Sequence, residues 1–316
     1  MATAPLMPDS PRHEEWQYLD LMRRIWEQGD ERVDRTGIGT RSVFGVTMRF
    51  DLSGGRMPLI TTKRVYWKTA TREMLWFLTG NTNIRPLVLQ GVKIWNEWPH
   101  ARYVRETGEA IALDVFVQRI ADDEAFAAQW GDLGPVYGKQ WVDWPTYVPV
   151  EGGLFRPGEG INQVAALVES LKCNPGSRRH IIEGWNVAEV DRMALPPCHK
   201  TYQFHVAAGK LNGILYQRSC DVALGLPFNL WSAALLQRML AEQTGLEPGE
   251  LVWMGGDVHL YLNHADLIEE QLSRKPRSVP RLQIMRRPDT IFDYRINDFE
   301  VTGYDPAPPI SAPVAV

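Results

Sequence analysis

Apolar residues near the start of the chain recur every three to four positions, at Trp16, Leu19, Met22 and Trp26, a spacing that predicts an amphipathic helix. The stretch Asp34-Arg35-Thr36-Gly37-Ile38-Gly39-Thr40 breaks that period and reads as a turn, and Ser42 to Leu52 follows as a strand. A second helical run extends from Trp67 to Leu78 and ends at Gly80-Asn81, residues suited to a helix C-cap. Residues 99–131 read as an acidic surface insertion and 144–160 as a Pro/Gly loop. Gln163 to Leu171 is a third helix, stopped by Asn174-Pro175-Gly176. Tyr202, Phe204 and Val206 then alternate with polar positions, and Ala208-Gly209 turns the chain into Leu211 to Arg218, a β-hairpin pattern. Asn229 to Thr244 is a long, mostly apolar helix closed by Gly245. Strands and helices succeed one another without a βαβ rhythm, so the predicted class is α+β.

Composition narrows this picture. The chain has 316 residues, enough for two domains, but no Pro/Gly/Ser linker, repeat or low-complexity run divides it, so one domain is expected. A net charge of −4 excludes a global basic field for nucleic acid, and an anionic ligand must be caught by local arginines. Three cysteines, Cys173, Cys198 and Cys220, form no closed disulfide framework, which fits a reducing compartment. The first thirteen residues read as a flexible leader without the apolar core of a signal peptide. No apolar run approaches the roughly 18 residues of a membrane span, so a cytoplasmic protein is expected. Twelve tryptophans point to large buried aromatic surfaces or flat-ring substrates.

Several residues are candidates for chemistry. Cys198 lies in Ala194-Leu195-Pro196-Pro197-Cys198-His199, where two prolines stiffen the backbone that carries the sulfur. An unperturbed cysteine is only about 3% thiolate at pH 7, so a nucleophilic role requires a cation such as a neighbouring histidine or arginine. A small buried hydrophobe, or a cysteine-protease nucleophile, fits the spacing as well. Glu73 shares a helical face with Ala70, Trp76 and Phe77, and a carboxylate there must be protonated, hydrated or paired. A buried ion pair with Arg72 or Lys68 and a general acid/base are its two readings. Arg35, Arg178, Arg179 and Arg218 stand beside glycine or hydroxyl residues, as phosphate-binding arginines do, although surface charge accounts for each separately. Asp257, His259 and His264 match no common metal spacing, and no metal is expected.

Taken as a set, these segments resemble the folate-dependent thymidylate synthase family. The strings are Asp34-Arg-Thr-Gly37, Leu75-Trp-Phe-Leu78, Ile94-Trp-Asn-Glu-Trp98, Gly134-Pro-Val-Tyr-Gly-Lys-Gln-Trp141 and Ser177-Arg-Arg179. They continue with Ala194 to His199, Tyr216-Gln-Arg-Ser-Cys-Asp221, Leu224-Gly-Leu-Pro-Phe-Asn229, Gly255-Gly-Asp-Val-His-Leu-Tyr261, Gly303-Tyr-Asp-Pro306 and Ala312 to Val316. The resemblance spans residues 14–316 in one order. It implies a mixed β-sheet flanked by helices and a homodimer formed sheet to sheet. It also implies methylation of dUMP at C5, with 5,10-methylenetetrahydrofolate as co-substrate, giving both carbon and hydride, and without metal, membrane or nucleic acid.

Residue roles carry over with it. Cys198, beside His199, would be the nucleophile that adds to C6 of uracil, Glu73 would organise protons around O4, and Tyr137 would assist loss of the C5 proton. Arg35, Arg178, Arg179, Arg218 and Ser219 would hold the phosphate, with Arg178 and Arg179 reaching over from the other subunit. Asn229 would read the pyrimidine edge, and His259 and Tyr261 the ribose 3′-hydroxyl. On the folate side stand Asp221 for the pterin, a slot of Trp95, Trp98, Leu195, Gly225 and Phe228, and Lys63 for the glutamate tail. Ala315 and Val316 would close over them.

The chain departs from the family pattern at Asn96, where aspartate is usual, and at His205, Glu183 and Gly184. At Trp231 and Ala233 large and small residues are exchanged, as in a compensated repacking. Two rival readings share the fold: a pyrimidine nucleotide hydroxymethylase, kept open by Asn96, and a silent RNA-binding homologue, opposed by the intact candidate set and the acidic charge.

Overall fold

The computed structural model describes residues 12–33 and 37–313; the flexible leader expected over 1–13 falls mostly outside these, but Arg12 is already ion-paired to Asp20. In chain order the first elements are α1 (Trp16–Gln28), β1 (Asp30–Arg32), β2 (Thr40–Asp51), α2 (Trp67–Leu78) and α3 (Arg85–Leu89). Then come α4 (Glu97–Thr107), α5 (Leu113–Asp122), α6 (Glu124–Trp130), α7 (Tyr137–Val142), β3 (Tyr147–Pro149), β4 (Phe155–Pro157) and α8 (Gln163–Cys173). The C-terminal half holds β5 (Ile181–Glu183), β6 (His199–Ala207), β7 (Lys210–Asp221), α9 (Leu226–Thr244), β8 (Glu247–Tyr261), α10 (Ala265–Ser273), β9 (Arg281–Ile284) and β10 (Phe299–Thr302).

Six strands form one sheet in the order β1-β2-β8-β7-β6-β5. All neighbours are antiparallel except β7 and β8, which run parallel because α9 carries the chain from the end of one back to the start of the other. This single crossover makes the sheet mixed, as the resemblance implied. The helix is apolar on nearly every side because it is enclosed, with the sheet beneath it and α2 above. It begins at Leu226 rather than Asn229, since Pro227 suits the first turn, whose N–H groups have no helical partner.

Trp231 fills the space between α9 and α2. Its ring is fully buried, lies 5.3 Å from that of Trp67, and its indole N–H donates to Thr71 Oγ1 at 3.0 Å. Ala233, two residues along the same helix, is buried as well, but it projects from a different side of α9 from Trp231. Trp231→Ala is expected to lower unfolding free energy by about 3–5 kcal/mol, read from urea denaturation, because it leaves a cavity and removes the hydrogen bond that Thr71 Oγ1 accepts.

Two segments hold more structure than expected. Residues 99–131 lie largely at the surface, but α4, α5 and α6 within them pack around buried Tyr103, Phe116, Ile120 and Phe126. Tyr103 meets Trp130 edge-on at 5.0 Å, and the Arg119 guanidinium lies 4.0 Å from the Phe126 ring. Each helix buries only two residues, so the apolar stripe is brief among the charges around it. Residues 144–160 are not plain loop either, since β3 and β4 pair within them. No helix among the described residues is long and apolar enough to cross a membrane.

Candidate active site

A cleft of about 460 Å3 opens where the ends of β6, β7 and β8 meet α2 and α7. Cys198 sits on its wall, one residue before β6, and two contacts hold its backbone. Its N–H donates to Tyr137 Oη at 2.7 Å, and its carbonyl accepts from the Arg218 N–H at 3.0 Å. The Arg218 guanidinium donates to the carbonyls of Pro196 at 2.7 Å and Pro197 at 2.9 Å, and reaches Cys198 Sγ at 3.8 Å. The two prolines thus present fixed carbonyls that aim a cation at the sulfur, where it favours the thiolate.

His199 does not supply that cation. It is buried, and desolvation pushes its pKa down to about 4 despite a hydrogen bond with Asn229, so at neutral pH it is uncharged. Its ring lies 5.6 Å from that of Tyr137 and serves the site by packing and hydrogen bonding.

Glu73 faces the same cleft from α2, buried beside Phe77 and Trp95. It has no ion pair with Arg72 or Lys68; the Trp95 indole N–H donates to its Oε1 at 2.8 Å. Desolvation outweighs that hydrogen bond and raises the carboxyl pKa to about 7. The acid/base reading therefore gains and the ion-pair reading falls. Tyr137 stacks on Phe77 at 4.8 Å, and burial, with Cys198 nearby, pushes its phenol well above the usual range, so it is a neutral hydroxyl. The close approach depends on Gly138: a Cβ there would come within 2.4 Å of the Phe77 carbonyl.

The Asn229 amide has its orientation set from behind. The Trp253 indole can only donate, and it does so to Gln217 Oε1 at 2.9 Å. That leaves Gln217 Nε2 to donate to Asn229 Oδ1 at 2.7 Å, which turns the Asn229 amide one way round. Across the cleft Trp95 and Trp98, with ring centres 5.3 Å apart, and Leu195 form an apolar wall, with Asp221 and Gly225 at its edge.

A family model for thymidylate synthase matches residues 16–316. The chain belongs to the thymidylate synthase family. A thymidylate synthase of Novosphingobium aromaticivorans is 75% identical over 312 residues, 98% of this chain and 99% of that protein. Those of Sphingopyxis alaskensis and Rhizorhabdus wittichii are 67% and 64% identical, each over 96% of this chain and 98% and 99% of their own lengths.

Within this thymidylate synthase cleft the structure gathers Cys198, His199, Glu73, Tyr137, Arg218, Ser219 and Asn229. His259, Tyr261, Trp95, Trp98, Leu195, Asp221 and Gly225 line it too. Other expected residues lie elsewhere. Arg178 and Arg179 are exposed on the loop before β5 and do not line the cleft of their own chain. Phe228 packs against the core and is absent from the lining. Lys63 is buried beneath the cleft, its ammonium donating to the Ala223 carbonyl, with burial lowering its pKa to about 8 against the pull of Asp221. Asn96 is buried at the start of α4, and its Oδ1 accepts no hydrogen bond. An aspartate there would bury an unpaired charge, so the amide is the cheaper residue in this environment. Arg35, Ala315 and Val316 lie outside the described residues.

Sequence reasoning passed over Gln217, Phe77 and Arg32 as site residues, and considered Asp257 only as a metal ligand, yet all four are in the lining. Gln217 lies inside the Tyr216-Gln-Arg-Ser string, and a polar residue facing inward from a strand could have flagged it. Among the described residues no three His, Cys, Asp or Glu side chains cluster as a metal site would require.

Proposed function

We propose that this cleft performs the reductive methylation of deoxyuridylate at C5, with Cys198 as the nucleophile. The observation that carries the reading is the Cys198 sulfur facing Arg218 in the same cleft as a Glu73 carboxyl whose pKa burial has raised. Thymidylate synthesis by a methyltransferase is the activity that the names of the family and of its relatives from Novosphingobium, Sphingopyxis and Rhizorhabdus give, and it favours the synthase over the hydroxymethylase.

Addition of Cys198 to C6 of the uracil forms an S–C bond and moves the electron pair through C5 toward O4, so that C5 becomes nucleophilic. Glu73, titrating near neutrality, stabilises charge at O4 and passes protons there, directly or through water. Tyr137, neutral and fixed by Cys198, orients what removes the C5 proton. Asn229 accepts from N3–H and donates to O4, in the orientation set by Gln217. Arg218 and Ser219 meet the phosphate, joined by Arg35 and, from a second subunit, Arg178 and Arg179. A sheet-to-sheet homodimer is supported by the face away from α9, where Ile181, Ile214, Tyr216 and Met254 are exposed on neighbouring strands.

The Trp95, Trp98 and Leu195 wall with the Asp221 carboxylate fits a flat ring bearing N–H donors, as a reduced folate does. 5,10-Methylenetetrahydrofolate, when bound there, supplies the one-carbon unit and the hydride and leaves as dihydrofolate.

Deoxyuridylate tritiated at C5, incubated with methylenetetrahydrofolate, tests the whole reading. Tritium release matched by dihydrofolate absorbance is expected; release without dihydrofolate indicates hydroxymethylation, and no release removes both. Asn229→Asp should shift the kcat/KM ratio toward the cytosine nucleotide by about tenfold or more, and an unmoved ratio rejects the amide as the base reader.

A further inference from the structure

We propose that Asp257 is a positioning residue for nucleotide recognition, which fixes the tautomer of His259 and thereby makes its Nε2 the acceptor for a ribose hydroxyl. This rests on the reading of His259 as the group that meets the 3′-hydroxyl. Asp257 and His259 are two residues apart on β8 and so project from the same face. They pair with Ser219 and Asp221 of β7, and all four line the cleft. His259 Nδ1 lies 3.1 Å from Asp257 Oδ1, and Arg32, from edge strand β1, donates to Asp257 Oδ2 at 2.8 Å. Both carboxylate oxygens are therefore engaged.

The hydrogen bond from His259 and the nearby Arg32 guanidinium hold the Asp257 carboxyl below the usual range, so it is ionised at neutral pH. An ionised carboxylate only accepts, and Nδ1 must then carry the hydrogen. In the neutral imidazole that leaves Nε2 as a lone-pair acceptor for a hydroxyl in the cleft. Tyr261 meets the His259 ring edge-on at 5.5 Å and 86°, which limits its rotation. Arg32 also offsets the Asp257 charge, so the carboxylate does not repel a nucleotide phosphate in the same cleft. In a 2′-deoxynucleotide esterified at the 5′ position the 3′-hydroxyl is the sole free sugar hydroxyl. The tautomer of His259 consequently acts on affinity through one hydrogen bond.

The test compares binding of deoxyuridylate and 2′,3′-dideoxyuridylate to the intact protein and to Asp257→Asn. The native protein is expected to favour the 3′-hydroxyl by about tenfold, the size of one net hydrogen bond. Asp257→Asn should bring that ratio close to one, because an amide N–H can donate to Nδ1 and move the ring proton to Nε2. No preference in the native protein would reject His259 as the hydroxyl reader. A preserved ratio in the variant, with or without equal weakening of both nucleotides, would overturn the role of Asp257 and leave that of His259 intact. If the variant does not fold, 15N chemical shifts of His259 in the native protein decide. The neutral Nδ1–H form is expected, and any other protonation state overturns the proposal.

Discussion

Cys198→Ser should lower kcat by more than about a thousandfold, at least about 4 kcal/mol on the barrier, while deoxyuridylate still binds in the cleft. The loss follows from the nucleophile and not from the scaffold. A guanidinium beside a thiol favours its thiolate, whereas a serine hydroxyl stays protonated, and oxygen is the weaker nucleophile toward an unsaturated carbon. The contacts that locate residue 198 are made by its backbone N–H and C=O, to Tyr137 and Arg218, and by the carbonyls of Pro196 and Pro197. Serine leaves all of them in place. Single-turnover kinetics and equilibrium binding of the nucleotide separate the two effects. Turnover at the native rate would remove Cys198 from the mechanism, and loss of binding together with turnover would point to a damaged cleft.

Glu73→Gln should lower kcat by roughly 10²–10³-fold, within the range of a positioned acid/base group. It should also change how stability depends on pH. The folded-state pKa of Glu73, about 7, lies above its ordinary value of 4.5 because burial disfavours the anion. A raised pKa means that the folded protein binds the proton more tightly, so this contribution to stability is fully present below pH 4.5. It is lost as pH rises through 7, to an extent of roughly 3 kcal/mol. Glutamine cannot titrate yet can accept the Trp95 N–H. Urea denaturation of the two proteins should therefore agree near pH 4, diverge between about pH 4.5 and 7 and stay apart above it, with the variant more stable. Parallel curves would mean that Glu73 is not buried as an acid.

These two residues illustrate how much a linear reading can reach. Cys198 and Glu73 were both visible as oddities, one between prolines and a strand, the other on an apolar helical stripe. Neither pattern gave the partner. For Glu73 the charged neighbours in sequence, Arg72 and Lys68, suggested an ion pair, whereas the group that meets it is an indole from a loop after α3. For Cys198 the adjacent histidine was the nearest candidate cation, yet burial removes its proton and the guanidinium arrives from the next strand.

The fold divides in a similar way. Helix α2 has its predicted bounds, and the hairpin β6–β7 is where alternation and Ala208-Gly209 put it. The long strand β8 was harder to read. Its last residues alternate, with Asp257, His259 and Tyr261 on one face and buried Val258 and Leu260 on the other, but Leu251 to Trp253 are buried in succession and the glycines at 255 and 256 mimic a turn. Helices α4 to α6 were masked by their charges, since each contributes only two buried residues, such as Tyr103 and Pro99 of α4 or Phe116 and Ile120 of α5, to a cluster that three short helices assemble together.

Local periodicity and capping chemistry thus settled α1, α2, α8, α9 and the β6–β7 hairpin, because those choices depend on neighbours within a few residues. Ionisation states and partners in the cleft were decided only by tertiary structure. Desolvation of Glu73 and His199, the guanidinium at the Cys198 sulfur, and the Trp253–Gln217–Asn229 chain each depend on the distance and dielectric between groups far apart in sequence.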